Sequence, residues 1–263
     1  MNKIQMVDLQ SQYKNIKSEI DNAVTDVIES GQYINGPVVQ EFSLNLAKYM
    51  SVKHVIPCAN GTDALQVALM ALDLNPGDEV ITTDFIFAAT VEVIALLNLK
   101  PILIDVDLET FNIDCNKLKK AIGPKTKAIV PVHLFGQPAD MEKIMQISKE
   151  HNLYVIEDNA QAHLAKWGNK YTGTFGNINA TSFYPTKNLG GIGDGGAITF
   201  NKSKHYNKIS KLRNYGSIKK NKHIYCEKPV CKSFKEISNI YEKLRNKTFS
   251  LLLFKFYFSE IKI

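Results

Sequence analysis

Between residues 54 and 157, short apolar runs alternate with spacers of helical length, and this restricts the chain's fold more than any other feature. Residues 54–59, 79–82, 101–106, 127–132 and 153–157 read as strands. Residues 62–72, 88–97, 118–122 and 141–151 read as helices, and Pro76-Gly77-Asp78 marks a turn. Strands apolar on both faces and joined through helices predict an α/β protein: a mostly parallel sheet between two helical layers. Ligands of such sheets bind beyond the carboxyl ends of the strands. Ahead of this region, Ile16, Ile20, Ala23 and Val24 share one face of a predicted helix that ends at Ser30-Gly31-Gln32. A second helix is predicted over 38–49, with Phe42, Leu46 and Tyr49 turned inward.

Three strand ends carry polar or aromatic residues suited to a ligand. In Ala59-Asn60-Gly61-Thr62-Asp63 a strand runs directly into a helix, whose free N–H groups and dipole attract an anion. The same residues also fit a plain N-cap. In Asp84-Phe85-Ile86-Phe87-Ala88-Ala89-Thr90, Phe87 either stacks on a flat heterocycle or fills the core. In Ile156-Glu157-Asp158-Asn159-Ala160-Gln161, Asp158 ends an apolar run, where a carboxylate is costly to bury without a cation. It fits either a protonated pyridine nitrogen or a helix cap, and Gln161 follows one turn later.

The last feature is Ser182-Phe183-Tyr184-Pro185-Thr186-Lys187, followed by five glycines within ten residues. The runs at 180–184 and 196–200 flanking it read as strands. Glycines permit tight turns and close approach of a ligand. A lysine held there loses solvation, which lowers an amine's pKa and favours attack on a carbonyl. Taken alone it reads as a surface lysine; the upstream strand ends favour a Schiff-base lysine.

In 263 residues of 44% hydrophobic composition, a large core is available. Cys58, Cys115, Cys226 and Cys231 show no disulfide-framework spacing and fit a reducing, cytoplasmic setting. His223, Cys226 and Cys231 lack a fourth metal ligand. The N-terminal residues show no signal-peptide pattern, and the apolar run at 251–258 falls short of the about 20 residues that span a membrane. The net charge of +6 is unevenly spread: residues 1–200 carry 16 Lys+Arg against 22 Asp+Glu, and residues 201–263 carry 16 against 4. With no reader motif in the basic tail, nucleic-acid binding is not expected.

These motifs, with Gly31-Gln32-Tyr33-Ile34-Asn35-Gly36-Pro37 and Pro131-Val132-His133-Leu134-Phe135-Gly136-Gln137-Pro138, resemble the DegT/DnrJ/StrS family of nucleotide-sugar aminotransferases. The resemblance runs from about Val7 to Ser217. It implies the type I fold of pyridoxal 5'-phosphate enzymes, with residues 1–218 as the cofactor-binding large domain. It implies that Lys187 carries the cofactor, Asp158 pairs with the pyridine nitrogen and Gln161 lies beside the phenolic oxygen. Gly61, Thr62 and Ser182 would hold the phosphate, and Phe87 would cover the ring. His133 receives no role. Lysine rather than histidine at position 187 favours transamination over dehydration. The implied partners are a nucleotide-linked ketosugar, most similar in flavour to a UDP-hexuronic acid, an amino donor such as glutamate, and a second copy of the chain. A cell-surface polysaccharide or related aminosugar pathway would use the product.

Beyond Ser217 the resemblance fades. Residues 219–263 form a divergent basic tail where relatives continue into a small domain, as a frameshift or truncation would produce. The alternative expectation is a non-catalytic remnant of such an enzyme. A nicotinamide-binding fold is disfavoured, because the glycine-rich segment lies late in the chain and opens no first βαβ unit.

Overall fold

The computed structural model describes residues 6–214. The expectations for the basic tail, including a helix near 235–244, the His223, Cys226 and Cys231 trio and the apolar run at 251–258, lie outside the described residues. The described chain opens with α1 (Leu9–Asn15), α2 (Lys17–Ser30) and α3 (Pro37–Met50). Strands and helices then alternate as β1 (His54–Cys58), α4 (Gly61–Met70), β2 (Glu79–Thr83), α5 (Ala89–Leu96) and β3 (Lys100–Ile104). They continue as α6 (Cys115–Ala121), β4 (Thr126–Ile129), α7 (Met141–Glu150) and β5 (Tyr154–Val155). A small hairpin, β6 (Lys166–Trp167) and β7 (Lys170–Tyr171), precedes β8 (Asn179–Ser182), β9 (Gly196–Phe200) and α8 (Tyr206–Arg213).

Strands β3-β2-β4-β5 form a parallel ladder, and β1-β9-β8 an antiparallel one. Asp158 joins them, bridging in parallel to Val132 on one side and to Ala180 on the other. Its N–H donates to Pro131 O at 2.9 Å, and Ala180 N–H donates to Glu157 O at 2.9 Å. The result is one sheet in the order β3-β2-β4-β5-β8-β9-β1, with β9 alone running against the rest. The predicted parallel α/β arrangement is therefore present.

The strands are apolar on both faces because both are covered. Val80, Ala128, Val130, Ile156, Ala180 and Ile198 pack with α4 and α5 and with Ile209 of α8. Their neighbours in sequence, Ile81, Ile129 and Val155, pack against α6 and α7. Val55 and Ala197 pack on the same side as each other, against Leu46 and Met50 of α3. Successive residues of a strand point to opposite faces, so this division follows the pleat.

The N-terminal helices depart from expectation. The predicted helix breaks at Ile16, whose ψ of 19° lies outside helical geometry, and no residue of α1 or α2 is buried. The helix does end at Gly31, in the left-handed conformation at φ 65°. In α3 the buried residues are Leu46 and Met50, one turn apart. Tyr49 instead faces outward and stacks on Tyr171 at 5.6 Å, and Phe42 meets Phe183 edge-on at 5.3 Å. Amphipathic spacing identified the stripe but not which side of it the sheet would cover.

One buried carboxylate fixes the carboxyl edge of the sheet. Glu157 accepts hydrogen bonds from the N–H groups of Gly173 at 2.7 Å, Phe175 at 2.6 Å and Gly176 at 2.7 Å. His133 Nε2 lies 2.9 Å from the same carboxylate. His133 Nδ1 accepts the Ala139 N–H at 3.0 Å, so Nδ1 is bare and Nε2 carries the proton. The pair is a neutral imidazole donating to an ionised carboxylate. It ties the turn after β4 and the segment before β8 to the end of β5.

Replacing Glu157 by Leu strips four donors of their acceptor, with an expected loss of more than about 4 kcal/mol in urea unfolding. Glu157→Gln, which keeps one carbonyl oxygen, is expected to cost about 1–3 kcal/mol. Buried His163 supplies a second expectation. Its ring packs edge-on against Phe183 at 5.8 Å, neither nitrogen has a partner among the described residues, and burial lowers its pKa below the ordinary 6.5. The unfolded chain then binds more protons between the folded pKa and about 6.5, so stability is held above that pH and lost as pH falls. His54 and His205 are lowered in the same direction, chiefly by burial. The thermal midpoint should fall from pH 7.5 to 5.5, and His163→Phe should flatten part of that slope; a flat wild-type profile would contradict this.

Candidate active site

Glu157 and Asp158 are adjacent, so the pleat sends their side chains to opposite faces. Glu157 joins the structural network just described. Asp158 shares the face of Ile156 and Ala180, toward α4 and α5. It is 5% exposed. Its Oδ2 accepts the Thr90 hydroxyl at 2.7 Å and its Oδ1 accepts the Ala160 N–H at 3.1 Å. Both donors are neutral, and no cation pairs with it among the described residues. The helix-cap alternative fails, because Asp158 bridges two strands and residues 160–161 form a turn.

Ser182 lies two residues beyond Ala180 on β8 and faces the same layer. The N-terminus of α4 is pressed onto it: a Cβ on Gly61 would lie 2.7 Å from Ser182 Cβ. A Cβ on Gly196 would lie 2.3 Å from Asn60 O, so that glycine lets the β1–α4 turn cross β9. Asn60 caps the helix by accepting the Asp63 N–H at 2.8 Å. The cap and the helix leave the Gly61 and Thr62 N–H groups without acceptors among the described residues. Gly61, Thr62, Ser182 and Asp158 thus gather on one face at one edge of the sheet. Partly buried Cys58 precedes this turn, and desolvation pushes its thiol up to about 12, which disfavours it as a nucleophile.

Lys187 lies in the connection between β8 and β9, at the same edge. Phe183 holds the connection's two ends: its N–H donates to Gly195 O at 2.7 Å, and its C=O accepts the Gly191 N–H at 2.8 Å. The Lys187 N–H donates to Tyr184 O at 2.8 Å. Its side chain is half-buried and forms no ion pair or hydrogen bond among the described residues. The desolvation anticipated for it is therefore partial.

Phe87 is not a core residue: at 69% exposure it stands free at the carboxyl edge, one turn before Thr90. Gln161 turns toward the loop after β4, where its Oε1 accepts the Phe135 N–H at 2.8 Å. Sequence reasoning missed Thr90 as the partner of Asp158, although it ended the aromatic segment singled out there. It also left His133 without a role.

The sequence profile of the DegT/DnrJ/EryC1/StrS aminotransferase family matches residues 14–239. A pleiotropic regulatory protein of Geobacillus stearothermophilus is 47% identical over 214 residues, 81% of this chain and 58% of its own length. The UDP-2-acetamido-2-deoxy-3-oxo-D-glucuronate aminotransferase of Pseudomonas aeruginosa is 44% identical over 221 residues, 84% of this chain and 62% of its own length. The crystal structure of Streptomyces venezuelae DesV in complex with a ketimine intermediate superposes with a TM-score of 0.81 at 36% identity, covering 86% of this chain and 61% of that one. The chain thus spans about three-fifths of the length of these proteins. With the strand-end motifs, the sheet order and the profile in agreement, the chain belongs to the DegT/DnrJ/EryC1/StrS aminotransferase family.

Proposed function

We propose that the chain binds pyridoxal 5'-phosphate and transfers an amino group to a nucleotide-linked ketosugar, with glutamate as the donor. The observation carrying this reading is Asp158, a buried carboxylate whose partners among the described residues are all neutral donors. Burial of such a charge calls for a cation, and a protonated ring nitrogen supplies one. The other residues fit the same group. Unspent N–H groups of Gly61 and Thr62 and the Ser182 hydroxyl suit a phosphate at the α4 N-terminus. Exposed Phe87 offers a face for stacking.

When bound, the cofactor supplies an electron sink for carbanion chemistry. The protein's part is positional and acid–base. Asp158, oriented by the Thr90 hydroxyl, would face the ring nitrogen and favour its protonated form. Lys187 Nζ would hold the cofactor and, when free, would serve as the general base and acid that moves a proton at the substrate carbon. The Pseudomonas aeruginosa relative acts, by its name, on a UDP-linked 3-oxo-glucuronate, which supports a UDP-hexuronic acid substrate here. We assign residues 1–218 to the cofactor-binding domain, supported by a compact unit that ends at Ile218. Pairing with a second copy, a cytoplasmic setting and a role in polysaccharide or related aminosugar biosynthesis belong to the same proposal. Among the described residues, no helix is long and apolar enough to cross a membrane.

Borohydride treatment of cofactor-loaded protein should fix a mass increment on the peptide containing Lys187, and Lys187→Ala should show none. An increment on another lysine would overturn the assignment, and no cofactor uptake would favour a non-catalytic remnant. Asp158→Asn, by removing the charge opposite the ring, should lower single-turnover rates with glutamate by about 100-fold, the equivalent of about 2.7 kcal/mol.

A further inference from the structure

The turn after β4 is clamped at its ends and strained at its tip. Asn112 is buried; its Oδ1 accepts the Leu134 N–H at 3.2 Å. Its Nδ2 donates to Gln137 O at 3.1 Å and Pro138 O at 3.2 Å. His133, bonded to Glu157 and Ala139, fixes the base of the turn. At the tip, Phe135 takes φ 53° and ψ 22°, a left-handed conformation that a bulky side chain disfavours. Burial does not explain it, because the ring is 76% exposed. What the conformation achieves is the Phe135 N–H contact with Gln161 Oε1 at 2.8 Å. Gly136, at φ 90°, closes the turn; a Cβ there would lie 3.6 Å from Gln161 O.

A backbone N–H only donates, so this contact fixes which end of the Gln161 amide faces the turn. Oε1 is consumed, and Nε2 keeps both of its N–H donors without an acceptor among the described residues. We propose that Phe135 is a positioning residue. Its left-handed backbone, not its ring, locks the Gln161 amide with the donor end toward the ligand. Strain held by surrounding contacts is commonly found beside ligand sites. This inference rests on the reading above, in which the ligand presents a phenolic oxygen beside Gln161. A donor there stabilises the deprotonated, more electron-rich form of the bound chromophore.

The test reverses chemical similarity. Asn tolerates the left-handed region and Ile does not. Phe135→Asn should therefore keep the wild-type pH midpoint of the bound cofactor's visible absorption. Phe135→Ile should raise it by about one unit, the scale of one hydrogen bond to a charged group. Gln161→Met, which has no donor, should give a similar rise and guards against misfolding of the Ile variant. A separate readout needs no cofactor. The Gln161 side-chain amide should give one sharp NMR pair in wild type and Phe135→Asn, and a broadened or shifted pair in Phe135→Ile. If Ile behaves as wild type while Asn shifts, the ring matters and the proposal fails. It also fails if Gln161→Met leaves the midpoint unchanged, or if the amide signal ignores all changes at 135. If wild type takes up no cofactor, the proposed function falls, and the amide signal still decides the role of Phe135.

Discussion

Two neighbouring carboxylates at the end of β5 divide the work of the whole edge. Glu157 is turned to the face of α6 and α7, where four donors surround it. Asp158 is turned to the face of α4 and α5, where, among the described residues, only Thr90 Oγ1 and the Ala160 N–H reach it. The contrast is energetic as well as geometric. A buried carboxylate with four hydrogen bonds is compensated within the protein. One with two neutral donors has room for a cationic partner. The first locks the loops in place, and the second keeps room for a partner of opposite charge.

The backbone of the same segment joins the parallel and antiparallel ladders. Asp158 bridges to Val132 and Ala180, so β8 and β9 extend the sheet and the lysine connection reaches the same edge. Two glycines complete the arrangement. Without a Cβ at position 61 or 196, the α4 N-terminus closes onto Ser182 across β9. His133, Glu157 and Asn112 form a continuous support under the turn that carries Phe135 to Gln161. Together they make a rigid floor on which Asp158 and Gln161 are held in fixed orientation.

Much of this was legible in the linear chain. The αβ alternation fixed the layered class, since apolar runs at 79–82 and 127–132 bury both faces. The strand-end motifs at Gly61, Asp158 and Lys187 marked one edge because such sheets bind ligands there. Local periodicity failed at α1 and α2, in which no residue is buried, and at Tyr49, which lies one position off the buried line of α3. The hairpin of β6 and β7 escaped notice because two-residue strands carry no readable alternation.

Residue types and their order determined the fold class and marked the strand ends whose side chains suit a ligand. Those properties follow from spacing along the chain, set by side-chain alternation and helix length. Only the folded molecule decided that Thr90 orients Asp158, that His133 is neutral and serves Glu157, and that Phe135 is strained toward Gln161. These contacts join residues 24 to 68 positions apart. Their partners are chosen by the sheet order and register, which no local pattern encodes.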